Sequence, residues 1–225
     1  MDDGSKSLDE SLKLLELLSG QDVDTVVATP HFYAENERLD SFLARRSESM
    51  DLLRSSLGGE SGIPATSVIS GAEVRYYKGI SRLEGLEKLK IERSRFLLLE
   101  MPFERWSDYV LKEVEEISRS GVVTVLLAHV DRYYGFVDLS VFDRLRQNGA
   151  DLQINAEAFD SFFDRAKAYK MIRSGLARFL GSDCHNLDTR APKIGIAFDY
   201  IRKKAGKEFL YGMNKFGHSL FVIKQ

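Results

Sequence analysis

Five short apolar runs in this 225-residue chain end in side chains of the kinds that bind metal ions. His31 follows Ala28-Thr29-Pro30, Glu73 follows Gly71-Ala72, and Glu100 follows Leu97-Leu98-Leu99. His129 follows Leu127-Ala128, and Asp183 and His185 follow Gly181-Ser182. Imidazole nitrogen together with carboxylate oxygen suits manganese, iron or zinc, and a carboxylate can bridge two ions. Paired ions lower the pKa of a bound water and clamp both oxygens of an in-line phosphoryl displacement. The chemistry implied is hydrolysis of a phosphoester. Taken singly, such a glutamate is an ordinary capping or salt-bridged group, and such a histidine an ordinary hydrogen-bonded core residue. Five strand ends carrying ligand types, with three of the chain's four histidines among them, are not a packing requirement.

The elements that must position these residues follow a repeating order. Ser7-Leu8-Asp9-Glu10 reads as a capping box, and apolar residues at helical spacing continue to Leu18, where Gly20 stops the helix. Thr25–Thr29 is a β-branched run closed by Pro30, which suits a buried strand. A helical stretch around Leu39 to Leu57 precedes a strand at Ser67–Ser70. Arg95–Leu99 reads as a strand and Asp108–Ser120 as the helix after it. Gly121, Gly149 and Gly175 lead into Val122–Leu127, Asp151–Ile154 and Leu176–Leu180, each glycine placed as a helix C-cap. Helices alternating with strands predict parallel pairing through right-handed crossovers, in a closed barrel or an open doubly wound sheet. In a barrel the strand ends converge on one face, where such proteins carry their chemistry. No linker or composition shift divides the chain, so a single domain over residues 1–225 is expected, with Gly58-Gly59-Glu60-Ser61-Gly62 as a flexible loop.

Composition sets the class. Hydrophobic residues make up 44% and charged residues 29%, an ordinary globular balance, and the formal charge of −2 offers no global attraction for nucleic acid. Cys184 is the only cysteine, which excludes an intramolecular disulfide and a cysteine-rich zinc site. No stretch approaches a membrane-spanning apolar length and the N-terminus is acidic, so a cytoplasmic location is expected. Arg132 and Arg190 fall on loops just after His129 and His185. Guanidinium forks bind phosphate at two points, and a surface salt bridge is an equal reading of both. Arg202-Lys203-Lys204 reads as a solvated helix face, His218 as structural or solvated, and Cys184 as turned away from its two neighbours rather than as a nucleophile.

In order along the chain, Asp2-Asp3-Gly4-Ser5-Lys6-Ser7, Ala28-Thr29-Pro30-His31, Gly71-Ala72-Glu73, Leu99-Glu100, Ala128-His129-Val130-Asp131-Arg132-Tyr133 and Ser182-Asp183-Cys184-His185-Asn186 resemble a family's successive motifs. The family is the polymerase and histidinol phosphatase (PHP) superfamily, specifically the bacterial protein-tyrosine phosphatases of capsular and exopolysaccharide clusters. The resemblance implies a distorted TIM-like (β/α)7 PHP barrel binding two or three divalent ions, manganese first, with iron or zinc as alternatives. It implies Asp3, His31, Glu73, Glu100, His129, Asp183 and His185 as ligands, with Glu73 bridging two ions. Arg132 and Arg190 would hold the phosphate, and metal-activated water rather than a thiolate would attack. The implied substrate is the phosphotyrosine-bearing tail of a bacterial tyrosine kinase, and self-association is a further expectation. Rival readings are a PHP phosphatase acting on a small phosphomonoester such as histidinol phosphate, a non-catalytic kinase-binding regulator, and an amidohydrolase-like barrel acting on a C–N bond.

The chain departs from the family pattern at its start. A first strand bearing a His-x-His pair stands ahead of the Asp-Asp-Gly motif in the family, whereas here Met1 directly precedes Asp2. The expectation is a barrel lacking that strand, with an open seam and weakened metal binding if the chain is no longer than this. In-frame sequence upstream is expected to encode a His-x-His segment. Finding none would overturn a late-assigned start or a truncation as the explanation.

Overall fold

The computed structural model describes residues 2–57 and 67–221, so the glycine-rich loop expected at Gly58–Gly62 lies outside the described residues. The first helix, α1 (Leu8–Ser19), begins as the capping box predicts: Ser7 Oγ accepts from the Glu10 amide at 3.1 Å. The Glu10 carboxylate reaches back to the Lys6 amide at 2.8 Å.

Two strand segments follow, β1 (Thr25–Ala28) and β2 (His31–Phe32), and after helix α2 (Leu39–Leu57) two more, β3 (Ser67–Ser70) and β4 (Glu73–Arg75). β1 pairs with β3 and β2 with β4 in one parallel register, Ala28 opposite Ser70 and His31 opposite Glu73. They are one pair of strands interrupted at the same level. Pro30 brings no N–H to the ladder. One place before Pro30, Gly71 faces Thr29 and leaves room for it: a Cβ there would lie 3.1 Å from Thr29 Cγ2 and 3.3 Å from Val27 Cγ1.

β4 continues the sheet through β5 (Phe96–Glu100), β6 (Thr124–Leu127), β7 (Asp151–Asn155) and β8 (Phe179–Gly181), all parallel. Helices α3 (Asp108–Arg119), α4 (Leu139–Gln147) and α5 (Arg165–Arg173) make the crossovers, and α6 (Ile194–Ala205) and α7 (Lys207–Phe221) close the chain. β6 and β8 start later than their apolar runs suggest. Gly121 and Gly175 take φ +73° and +76°, ending the preceding helices, and the next residues complete those turns. Ala177 N donates to Met171 O at 3.1 Å and Val122 N to Ser120 Oγ at 3.2 Å, which removes both from the sheet.

Alternation along the strands separates two cores. Val74, Leu97, Leu99, Val125, Leu127, Leu152 and Ile154 pack outward against the helices. Ile69, Phe96, Leu98, Leu126 and Ala128 form a smaller inner core, joined by Val27 and Phe179. The sheet therefore curls into a parallel half-barrel whose end strands, β1 and β8, do not pair. Between them runs a cleft of about 790 Å³ lined by Val27, Ile69, Leu98, Leu126 and Phe179 of the inner core and by Leu14, Met213 and Gly217 of α1 and α7, and it reaches up to Glu73, His129 and Asp183. This is the open seam expected of the barrel, and among the described residues no strand precedes α1. At the lower end, buried Asp151 holds Arg146 at 2.7 Å and Arg178 at 2.6 Å, and the Arg178 guanidinium covers the Phe216 ring at 4.3 Å. That pairing ties β7, β8 and α7 together. Among the described residues no helix is long and apolar enough to cross a membrane.

Glu92 anchors the other edge. Its carboxylate accepts from Ser70 N at 3.0 Å and from Arg54 at 2.6 Å, joining β3 to α2. Burial alone would raise its pKa, but the Ser70 amide and Arg54 outweigh burial and hold it below the usual carboxylate range. A depressed folded-state pKa gives stability that is present above the unfolded value and lost as pH falls through the folded one. Glu92→Gln is expected to cost roughly 1 kcal/mol at neutral pH, discounted for the partial exposure of both partners, and to flatten the acid-side loss of stability. Urea midpoints measured across pH 3–7 check this; parallel profiles for the two proteins would contradict it.

Candidate metal centre

The inward row of every strand changes character at its upper end. Val27 and Thr29 lead to His31, Ile69 and Gly71 to Glu73, Phe96 and Leu98 to Glu100, and Phe179 and Gly181 to Asp183. Each ligand-type residue thus caps an inward column whose lower members are apolar or small. His129 falls one position out of step with Leu126 and Ala128, and its backbone compensates by turning left-handed, φ +33°. Asp183 does likewise at φ +50°. Such conformations cost non-glycine residues on the order of 1 kcal/mol, and they gather at functional sites.

The N-terminal segment folds onto this face. Asp2 accepts from the His31 amide at 2.6 Å and from Gly4 N at 3.1 Å. That contact sets Asp3 Oδ1 at 3.5 Å from both His31 Nε2 and His185 Nε2. Asp3, His31 and His185 form one group able to hold an ion, and His31, Glu73 and Glu100 form a second, with the ligand atoms of each group within 4.8 Å of one another. His31 belongs to both. His129 Nε2 lies 2.9 Å from Glu73 Oε1 and 3.6 Å from Glu100 Oε1. His185 Nδ1 sits 3.0 Å from the Asp183 carbonyl, which can only accept, so the proton is on Nδ1 and the lone pair of Nε2 faces Asp3.

Asp183 is the junction with the arginines. Its carboxylate accepts from Arg132, from Arg190 at 2.7 Å and from Asn155 Nδ2 at 2.9 Å, and Arg190 also reaches Asp3 at 3.7 Å. Burial would raise its pKa, but Arg132 and Arg190 outweigh burial and hold it low. Glu100 shifts the other way, raised by burial and then by the charge of Glu73. Two buried carboxylates side by side, with the buried Nδ1 atoms of His31 and His129 lacking any partner among the described residues, make a pocket short of positive charge. A divalent cation with mixed nitrogen and oxygen ligands fits that deficit.

The structure brings together all nine residues singled out from the sequence: Asp3, His31, Glu73, Glu100, Arg132, His129, Asp183, His185 and Arg190. The remaining polar candidates lie elsewhere. Cys184 packs against the outer core and burial pushes its thiol pKa up, which removes a thiolate nucleophile. His218 is exposed and 3.5 Å from Asp24, and Arg202 pairs with Asp199 at 3.1 Å on the outer face of α6. Sequence reasoning missed Asn155 and the role of Asp131, whose half-buried carboxylate accepts from Asn155 N at 2.7 Å. Extending β7 by one residue and applying strand alternation places Asn155 on the inward row above Gln153.

With this geometry, the chain belongs to the CpsB/CapC family of capsular polysaccharide synthesis, whose sequence pattern matches residues 1–214. The CapC protein of Staphylococcus aureus is 30% identical, over 96% of this chain and 85% of the relative. The tyrosine-protein phosphatase YwqE of Bacillus subtilis is 27% identical, over 94% and 83%. The tyrosine-protein phosphatase CpsB of Streptococcus pneumoniae is 29% identical, over 92% and 87%. A crystal structure from the study of YwqE and CpsB, described as metal-dependent tyrosine phosphatases, shares the fold with a TM-score of 0.84 at 24% identity. The match covers 98% of this chain and 90% of that one.

Because His31 serves both ligand groups, His31→Ala is expected to weaken both ion sites by on the order of tenfold or more, whereas His185→Ala weakens only the group containing Asp3. Calorimetric titration with Mn²⁺ resolves the two sites. Equal loss in both variants would contradict the shared position of His31.

Proposed function

We propose that this chain is a manganese-dependent protein-tyrosine phosphatase, acting in the cytoplasm on the phosphotyrosine-bearing tail of a bacterial tyrosine kinase in polysaccharide synthesis. The observation that carries the reading is the convergence of Arg132 and Arg190 on Asp183, beside two His/carboxylate groups on one face. Two-point guanidinium donors and metal-type ligands meet there in the pattern a phosphoryl group requires. The curated relatives named as tyrosine-protein phosphatases support the choice of substrate.

In this reading Asp3, His31, Glu73, Glu100, His129, Asp183 and His185 would hold two or three ions. The ions, when bound, act as Lewis acids on the phosphoryl oxygens and lower the pKa of the attacking water. The protein's own part is positional. Arg132 and Arg190 present planar donors to the equatorial oxygens, where negative charge grows as the ester bond breaks. Asp183 fixes both guanidiniums before substrate arrives, and Asn155 and Asp131 fix Asp183 in turn. The apolar inner core lies beneath the strand-end ring on the sheet side, and the seam cleft reaches Glu73, His129 and Asp183 from the other.

A Mn²⁺-supplemented assay on a phosphotyrosine peptide, run beside histidinol phosphate, tests this. Turnover of the peptide is expected to exceed that of the small ester. His129→Ala should abolish it, and Arg132→Lys or Arg190→Lys should lower kcat/KM by roughly 10- to 100-fold through loss of the two-point contact. Preference for histidinol phosphate would move the chain to the small-ester reading. Absence of turnover on both would favour a non-catalytic regulator.

A further inference from the structure

Phe103 is an aromatic side chain on the rim of the centre that packing alone does not explain. It lies three residues beyond Glu100 and is 48% exposed. Its ring is parallel to the His129 imidazole, 10° between planes and 6.1 Å between centroids, and 5.4 Å from Tyr133. The support beneath is rigid. Tyr133 is fully buried, its hydroxyl accepts from Met101 N at 2.9 Å, and its ring packs against Trp106 at 5.0 Å. Trp106 Nε1 donates to Pro102 O at 2.9 Å, so the segment carrying Phe103 is pinned on both sides of it. The other three exposed phenylalanines among the described residues, Phe136, Phe162 and Phe163, follow β6 and β7 on this same face.

We infer that Phe103 is the residue that selects an aromatic ester, stacking against the phenyl ring of the substrate while the phosphate lies at Arg132 and Arg190. The inference rests on the phosphatase reading and adds what that reading leaves open, the means of telling an aryl from an alkyl phosphate. In phosphotyrosine a single ester oxygen separates phosphorus from the ring, so the ring must leave the centre immediately beside the ligands. His129, which Phe103 covers, is 2.9 Å from Glu73. A half-exposed aromatic ring held there can meet the substrate ring at the centroid spacing that aromatic pairs prefer, whereas an alkyl phosphate presents no face to it.

The test uses the full Mn²⁺-loaded chain, Phe103→Leu and Phe103→Trp. Kinetics on a phosphotyrosine peptide and on a phosphoserine peptide of the same sequence give the aryl-over-alkyl ratio of kcat/KM. Phe103→Leu is expected to lower that ratio about three- to tenfold, chiefly through KM, and Phe103→Trp to restore it. Loss of both activities in proportion would show that Phe103 merely seats His129 and would overturn the inference, as would an unaltered ratio. Binding is read separately by fluorescence of Trp106, the only tryptophan, with phenylphosphonate and methylphosphonate as probes. Preference for phenylphosphonate that disappears in Phe103→Leu upholds the inference even where no ester is turned over, an outcome that would sink the phosphatase reading alone. Equal binding of the two phosphonates, or none, overturns it.

Discussion

A carboxylate taken out of water must meet positive charge, and the upper end of this half-barrel shields three of them. The side chains of Glu73, Glu100 and Asp183 retain only 8%, 12% and 8% of their accessible surface. Everything around them answers that constraint. Asp183 is met by two guanidiniums and an amide, and Glu73 and Glu100 by His129. The deficit that remains around Glu73 and Glu100 is what a divalent cation would fill. Leaving buried charge unpaired costs several kcal/mol per ion, so the fold is held to this arrangement of helices and loops by the same groups that give it chemistry.

The lower end of the sheet shows the ordinary solution. Asp151 is as deeply buried, but Arg146 and Arg178 satisfy it at close range, and among the described residues it belongs to no group of metal-type ligands. The comparison separates a structural carboxylate from the candidate ligands by surroundings rather than by residue type. It also explains why counting charged residues along the sequence does not locate the centre, whereas position at the end of a strand does.

Much of this was legible before any coordinates, because the α-then-β order, the glycine stops and the strand ends each have a local physical cause. The capping box at Ser7–Glu10 and the positive φ of Gly121, Gly149 and Gly175 are decided within a few residues of chain. His31, Glu73, Glu100, His129, Asp183 and His185 were readable because they stand at the ends of apolar runs, Arg132 and Arg190 because they follow two of those histidines closely, and Asp3 only through the family resemblance. Asn155 escaped because β7 was read one residue short, and asparagine is common in turns. The late starts of β6 and β8 escaped because an apolar run after a C-cap glycine reads as strand throughout, while the turn's own hydrogen bonds hold its first residues off the sheet. Phe103 was invisible for a different reason: exposure is a property of the assembled surface, and no spacing rule reports it.

The interruption at Pro30 and Gly71 has a mechanical meaning. It acts as a fold line across two neighbouring strands. Below it β1 and β3 form a separate two-stranded sheet bordering the seam; above it β2 and β4 belong to the six-stranded wall. His31 and Glu73 lie just above the line, so they are registered to Leu98 and, through it, to the most deeply buried strands. Breathing of the seam would bend the chain at the line and leave these two side chains in place, whereas β8, on the seam's other border, leads directly into Asp183 and His185. The compliance of the half-barrel therefore bears on one side of the ligand set and not on the other.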